Sequence, residues 1–187
     1  KFTYYDGMTR IPEGSAPDLK NKSFAINAIV EIPEDGAEGL LMTQGGRFCG
    51  VGLYVLNNKP VFVYNLADVK RYRVEGKDPL QPGKHVLTFD FNYKGGGLGK
   101  GGTATLSVDG NKVDSTEFPR TIAFRMSLDE TLDIGEDTGT PVSEDYEVPF
   151  EFSGEIEKVT IQITDHELTE DQLQEYRQQQ VKSALSR

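Results

Sequence analysis

The sequence predicts an all-β domain, an antiparallel β-sandwich or jelly roll, closed by one carboxyl-terminal α-helix. Three observations lead there. Phe24, Ile26, Ala28, Val30 and Ile32 alternate with Ala25, Asn27, Ile29 and Glu31, the period-two pattern that sends one face of a strand into a core. Similar runs recur down the chain, separated by short stretches rich in Gly, Asn, Asp and Pro, as consecutive antiparallel strands require. No helical period interrupts them before residue 169, which excludes the strand-helix alternation of a parallel sheet.

The elements follow in order. Pro33 to Gly36 ends the first strong strand, and Leu40–Thr43, Phe48–Leu56, Val61–Leu66 and Val69–Val74 come next. Asn57-Asn58-Lys59-Pro60 joins two of them, its asparagines tolerating the positive φ of a tight hairpin. In Lys84–Tyr93, His85, Leu87, Phe89, Phe91 and Tyr93 share a face that must be buried. Thr103–Val108 and Lys112–Glu117 pair across Asp109-Gly110-Asn111. A turn-rich loop then carries Asp133, Asp137 and Asp145 with Gly135 and Gly139, and returns through Pro149 and Gly154 into a last strand that ends near Ile163. Strands thus occupy about residues 2–163. Thr169 and Gln172 have capping-box spacing, flanked by Leu168 and Leu173 as a hydrophobic staple, which predicts a helix over about 170–185. Residues 1–187 read as a single domain without internal repeats.

At this length a core can form without disulfide or metal staples, and the one cysteine, Cys49, leaves no internal disulfide. Between Phe48 and Gly50, with no His or second Cys nearby, it reads as a small core residue inside a strand. The 30 Asp and Glu against 20 Lys and Arg give a formal net charge of -10, which argues against nucleic acid or an anionic membrane as a general partner. No apolar run is long enough to span a bilayer. KFTYYDGM at the start is neither a signal peptide nor an initiating methionine, so a piece of a longer protein is expected.

Several motifs fail on inspection. Gly97, Gly99 and Gly102 match a dinucleotide fingerprint in letters, but a strand and not a helix follows them, so no helix amino terminus faces a phosphate. A flexible hairpin loop fits better, with Lys100 at its tip reaching a partner. Asp133, Asp137 and Glu144 resemble an EF-hand only superficially: the third position is Gly135 and the sixth is Thr138. A different calcium site, built from Asp133, Asp137, Asp145 and backbone carbonyls, stays open beside an Asx-turn network. Glu155 and Glu157 have the parity of a glycosidase pair, yet they alternate with core residues at what reads as a solvent-facing edge. There is no tryptophan to stack on a sugar, leaving Tyr54, Tyr64, Tyr72 and Tyr93 as substitutes. His85 and His166 lie far apart and beside no nucleophile, so no catalytic residue is assigned.

The strings YYDGMTRIPEGSAPDLKNKSF, EGLLMTQGGRFCGVGLYV, GGGLGKGGTATLSVDG and LDETLDIGEDTGTPVSEDY resemble, in that order, the carboxyl-terminal region of long bacterial arylsulfatases. The resemblance runs from about Tyr4 to Ile163. It implies a concanavalin A-like, laminin-G-like jelly roll that follows a sulfatase catalytic domain in the same parent chain, in a periplasmic or secreted setting that the residues leave open. The sulfatase nucleophile motif does not carry over, because Cys49 is followed by Gly50, Val51 and Gly52. What the resemblance implies is a non-catalytic accessory domain that packs on the catalytic domain and shapes substrate access, with the Arg47 loop and the Gly95–Gly102 loop facing it. The alternative is a lectin-like module binding a glycan or sulfated substrate, with or without calcium, through Arg47, Tyr54, Tyr64, Tyr72 and Lys100.

Overall fold

The computed structural model describes residues 1–164; the helix expected over about 170–185, and His166, lie outside the described residues. Twelve strands run in chain order: β1 (Phe2–Tyr4), β2 (Ile11–Pro12), β3 (Ser23–Ile32), β4 (Gly39–Gly45), β5 (Gly50–Leu56), β6 (Lys59–Leu66), β7 (Lys70–Glu75), β8 (Gly83–Tyr93), β9 (Lys100–Val108), β10 (Asn111–Arg120), β11 (Thr131–Ile134) and β12 (Glu155–Thr164). They form two six-stranded sheets, β1-β12-β3-β8-β9-β10 and β2-β11-β4-β5-β6-β7, in which every pairing is antiparallel. The all-β sandwich is therefore the fold.

The alternating residues make the core. Phe24, Ile26, Ala28, Val30 and Ile32 of β3 and Leu87, Phe89 and Phe91 of β8 are buried against Met42, Val51, Leu53, Val55, Phe62 and Tyr64 of the opposite sheet. The rings of Phe62 and Phe89 stack across the interface, and each such side chain withdrawn from water stabilises the fold by about 2–3 kcal/mol. Asn57 and Asn58 both have positive φ and turn β5 into β6 as expected. Ala67 and Asp68 do the same between β6 and β7, although only Asp68 is of a type that visits positive φ readily. Pro119 falls in β10, an edge strand where its missing N–H costs no ladder bond.

Several strand boundaries differ from expectation, and three of the differences bear on the site. β5 begins at Gly50 and not at Phe48; Cys49 sits half-buried in the preceding turn, its carbonyl accepting from Gly46 N–H. β9 starts at Lys100, so Gly101 and Gly102 belong to the strand and Lys100 is not a loop tip. Asp133 lies within β11, paired with Thr43, and not in the loop that follows.

Candidate functional site

After β11, residues 135–154 fold back as a strap across the outward face of the β4-β5-β6 sheet. Leu40, Tyr54, Val61 and Val63 point outward there, yet all four are buried beneath Val142 and Tyr146, with Phe150 packed alongside. The rings of Tyr146 and Phe150 stack at 4.4 Å, and Tyr54 meets Tyr146 edge-on at 5.4 Å, which makes a small second core outside the sandwich. Charge pins it: the Tyr54 hydroxyl and the Arg73 guanidinium both donate to Asp145, and Arg71 Nε donates to the Val142 carbonyl at 3.2 Å. Burial, then the bond to Asp145, pushes the Tyr54 hydroxyl well above its usual range. Burial acts to raise Asp145 as well, but the bonds from Tyr54, Ser143 and Arg73 outweigh it and hold its carboxyl below the ordinary value.

The other two aspartates of the acidic loop anchor the strap at its start. Asp133 is buried and accepts from Arg10 N–H at 2.6 Å, Thr131 Oγ1 at 3.0 Å, Thr138 N–H at 2.8 Å and Thr138 Oγ1 at 2.6 Å. Asp137 accepts from Tyr146 OH at 2.7 Å and Gly139 N–H at 3.1 Å. The three expected calcium ligands thus serve protein donors at separate points, and among the described residues no three His, Cys, Asp or Glu side chains gather as a cation site would require. The donor set fits an Asx-turn and anchor network, and it does not fit a calcium cage.

Burial, reinforced by the charges of Asp133 and Glu130, pushes Asp137 up to about 6, against the lowering effect of its hydrogen bonds. The folded protein therefore holds this proton more tightly than the unfolded chain, so the contribution to stability is full below about pH 4 and is lost as pH rises towards 6. Asp137→Asn removes the titration. Its stability relative to the wild type should rise by about 2–3 kcal/mol between pH 4 and pH 7 in urea unfolding; a difference independent of pH would show that Asp137 titrates normally.

The other expected ligand residues are placed unevenly. Tyr54 and Tyr64 are closed to solvent, so neither offers a ring face to a sugar: strap packing occupies Tyr54, and Tyr64 is a core ring whose oxygen accepts from Ile122 N–H at 2.9 Å. Tyr93 is also a core residue, and Tyr72 is half-buried against Phe118. Lys100 is exposed, its N–H donating to Tyr93 OH at 2.9 Å. His85 is bridged to Asp109 at 2.7 Å and to the Gln81 carbonyl, which explains it as a clamp on the β9-β10 turn. Glu155 and Glu157 are exposed, and Glu157 pairs with Lys84 and Lys158. Sequence reasoning missed the strap, although the uninterrupted run Val61-Phe62-Val63-Tyr64 carried its signal: apolar residues at both parities require cover on both faces.

Arg47 leads to a cleft and to a larger surface. Its main chain is held on both sides, N–H to Thr140 Oγ1 at 2.8 Å and carbonyl from Asn65 Nδ2 at 2.6 Å. With Arg71, Thr140, Ser143 and Glu144 it lines a cleft of about 290 Å³. The β4-β5, β6-β7, β8-β9 and β10-β11 connections meet at this same end of the sandwich, as Thr121 N–H to the Gly99 carbonyl, Asn21 Nδ2 to the Ala123 carbonyl and Asn65 to Arg47 demonstrate. Phe48, Val69, Leu98, Phe124 and Leu128 project from these connections, each more than half exposed. Around them Arg47, Lys70, Lys94, Lys100, Arg120 and Arg125 slightly outnumber Asp68, Asp129, Glu130, the Glu117 paired to Lys94 and the Glu13 that accepts from Met126 and Ser127 N–H. In a chain of net charge -10, this end carries a slight local excess of positive charge, and the strap, with six acidic residues from Glu136 to Glu151 and no Lys or Arg, is strongly negative.

No family model matches the sequence, and no curated protein matches it. Solved structures do. Mouse laminin α1 chain domains LG4-5 match with a TM-score of 0.58 at 14% identity, over 87% of this chain and 42% of that one. The Ruminococcus gnavus IT-sialidase CBM40, bound to α2,3-sialyllactose, matches with a TM-score of 0.55 at 15% identity, over 81% of this chain and 80% of that one. The receptor-binding domain of botulinum neurotoxin type G matches with a TM-score of 0.51 at 15% identity, over 85% and 38%. This chain spans less than half of the laminin and neurotoxin chains. The likeness is one of fold: a laminin-G and carbohydrate-binding-module type of jelly roll.

Proposed function

We propose that this chain is a non-catalytic accessory sandwich of a larger sulfatase-type enzyme, and that it holds the catalytic domain through its apolar end. The observation that carries this reading is the gathering of Phe48, Val69, Leu98, Phe124 and Leu128 on loops at that one end. Side chains of this size cost about 1.5–3 kcal/mol each when left in water instead of buried, and clusters of them mark interfaces. The Arg47 loop and the glycine loop, which the arylsulfatase resemblance turns towards the missing domain, both belong to this end. The sulfatase parentage rests on the ordered sequence resemblance. Burial pushes the Cys49 thiol up, the opposite of activation.

The test uses the parent enzyme. Replacing Phe48, Phe124 and Leu128 together by Ser should split one calorimetric transition into two and lower sulfatase activity, whereas Val86→Ser, on the outward face of β8, should do neither. A triple variant with one transition and full activity would remove the docking role.

A second reading, a lectin-like module, is favoured by the cleft beside Arg47, where a sulfate or carboxylate group of a glycan would meet the Arg47 guanidinium and compete with Asp68 and Glu144 for Arg71. Binding of sulfated oligosaccharides that depends on Arg47 is its signature.

A further inference from the structure

The second sheet carries a surface that neither reading uses. A groove of about 600 Å³ crosses β12, β3, β8 and β9 on the outward face. Strand register places Gln162, Ala25, Asp90 and Thr105 side by side in one row across the sheet. The neighbouring row holds Thr164, Ser23, Asn92 and Thr103. Ala25 is the smallest side chain among them and leaves the floor low between taller neighbours. Phe24 and Phe91 border the groove with their backbone, since their rings are buried in the core.

We propose that this groove binds a neutral oligosaccharide, with Asp90 accepting hydrogen bonds from sugar hydroxyls and Asn92 and Gln162 supplying both donors and acceptors. The lining decides the ligand class. Among the described residues no Lys or Arg borders the groove, so a sulfated or carboxylated ligand finds no counter-charge there and meets Asp90 instead. Among the described residues no large apolar side chain projects into it, which disfavours a lipid or an apolar peptide. A single carboxylate cannot cage a cation. A polyhydroxylated neutral ligand suits the groups left to it, Asp90, Asn92 and Gln162, while the Ser23, Thr103 and Thr105 hydroxyls already have protein partners. Adjacent strands lie about 4.8 Å apart, so an extended chain lying across them meets Gln162, Asp90 and Thr105 on either side of the low Ala25 step. Among the described residues no hydrogen bond engages the exposed Asp90 carboxyl, which partial burial raises, so its oxygens are left to a ligand or to water. The volume falls within the range of small-molecule sites. Lacking an aromatic platform, the site should bind weakly.

The experiment is a nuclear magnetic resonance titration of the 187-residue chain with neutral gluco-, manno-, galacto- and xylo-oligosaccharides and with sulfated galacto-oligosaccharides. At least one neutral series should shift resonances of β3, β8 and β9 with a Kd on the order of 1 mM. Asp90→Ala should weaken it about tenfold or more, about the loss of one hydrogen bond to a charged acceptor. Ala25→Leu, which fills the floor from the solvent side, should abolish it while leaving the melting temperature unchanged. Silence from every neutral series at about ten times that Kd, equal binding by both variants, or tighter binding of the sulfated series at this face would each overturn the proposal. Sulfated binding that maps instead to Arg47 would speak to the cleft alone.

Discussion

Asp133→Ala should lower the melting temperature by roughly 10 °C, from a loss of about 3–4 kcal/mol in a domain of this size. Four donors converge on this carboxylate, two on each oxygen: Arg10 N–H and Thr131 Oγ1 on one, Thr138 N–H and Oγ1 on the other. They come from the segment before β2, from β11 itself and from the start of the strap, so a single side chain ties three stretches of chain together. Removal leaves two backbone N–H groups without their acceptor in a site that is closed to water, and it is the unsatisfied donor, more than the lost bond, that is costly. Asp133→Asn should fall between the two, because its oxygen keeps one pair of donors while its amide opposes the other. Millimolar calcium should leave the wild-type melting curve in place, since both carboxylate oxygens are already engaged. A calcium-dependent rise of several degrees that Asp133→Ala eliminates would make the carboxylate a metal ligand after all.

The parts of the fold visible in the sequence are those whose cause is local. Alternation in Phe24–Ile32 and in Lys84–Tyr93 is written residue by residue, and β3 and β8 follow it over their whole length. The turn at Asn57-Asn58 is equally explicit, because few side chains accept two successive left-handed residues. Strands β1, β2 and β11, two to four residues long, are too short to display a period, and they exist only because a neighbour pairs with them. Asp133 looked like a loop residue because its donors lie at positions 10 and 138, and no local pattern reveals the first of these. Tyr54 shows the same limit for the site. Its parity opposite Val51, Leu53 and Val55 marks an outward ring, which suggests a sugar platform, and only the strap, arriving from Val142 and Tyr146, converts it to an interior residue. The apolar end was half legible: Arg47 and the glycine loop were expected to face one partner, whereas their convergence with Phe124 and Leu128 depends on how the β10-β11 connection crosses between the sheets.

Gly39→Ala should destabilise the domain by about 4 kcal/mol or more and loosen the strap selectively. Gly39 opens β4 with φ +131, and a Cβ there would lie 2.3 Å from both the Glu151 carbonyl oxygen and Phe152 Cα. Those atoms are backbone and cannot rotate aside as a side chain would, so the strap itself must retreat. Three contacts depend on its present position: Leu40 N–H to the Phe150 carbonyl at 2.9 Å, Ser153 N–H to the Glu38 carbonyl at 2.9 Å, and Glu38 N–H to Ser153 Oγ at 2.9 Å. Each contributes about 1 kcal/mol, and the stacked Tyr146 and Phe150 rings over Tyr54 lose their alignment with them. Gly83→Ala supplies the control. Its φ of +114 is also strained for alanine, but nothing lies within 4 Å of the added Cβ, so it measures the conformational cost alone, about 1–2 kcal/mol. The excess of Gly39→Ala over Gly83→Ala is then the cost of displacing the strap, and it should appear with faster amide exchange in residues 142–152 and with dye binding to the uncovered Leu40, Val61 and Val63 face. Equal losses from the two substitutions, with strap amides still protected, would mean that the strap rides on the sheet without being held there.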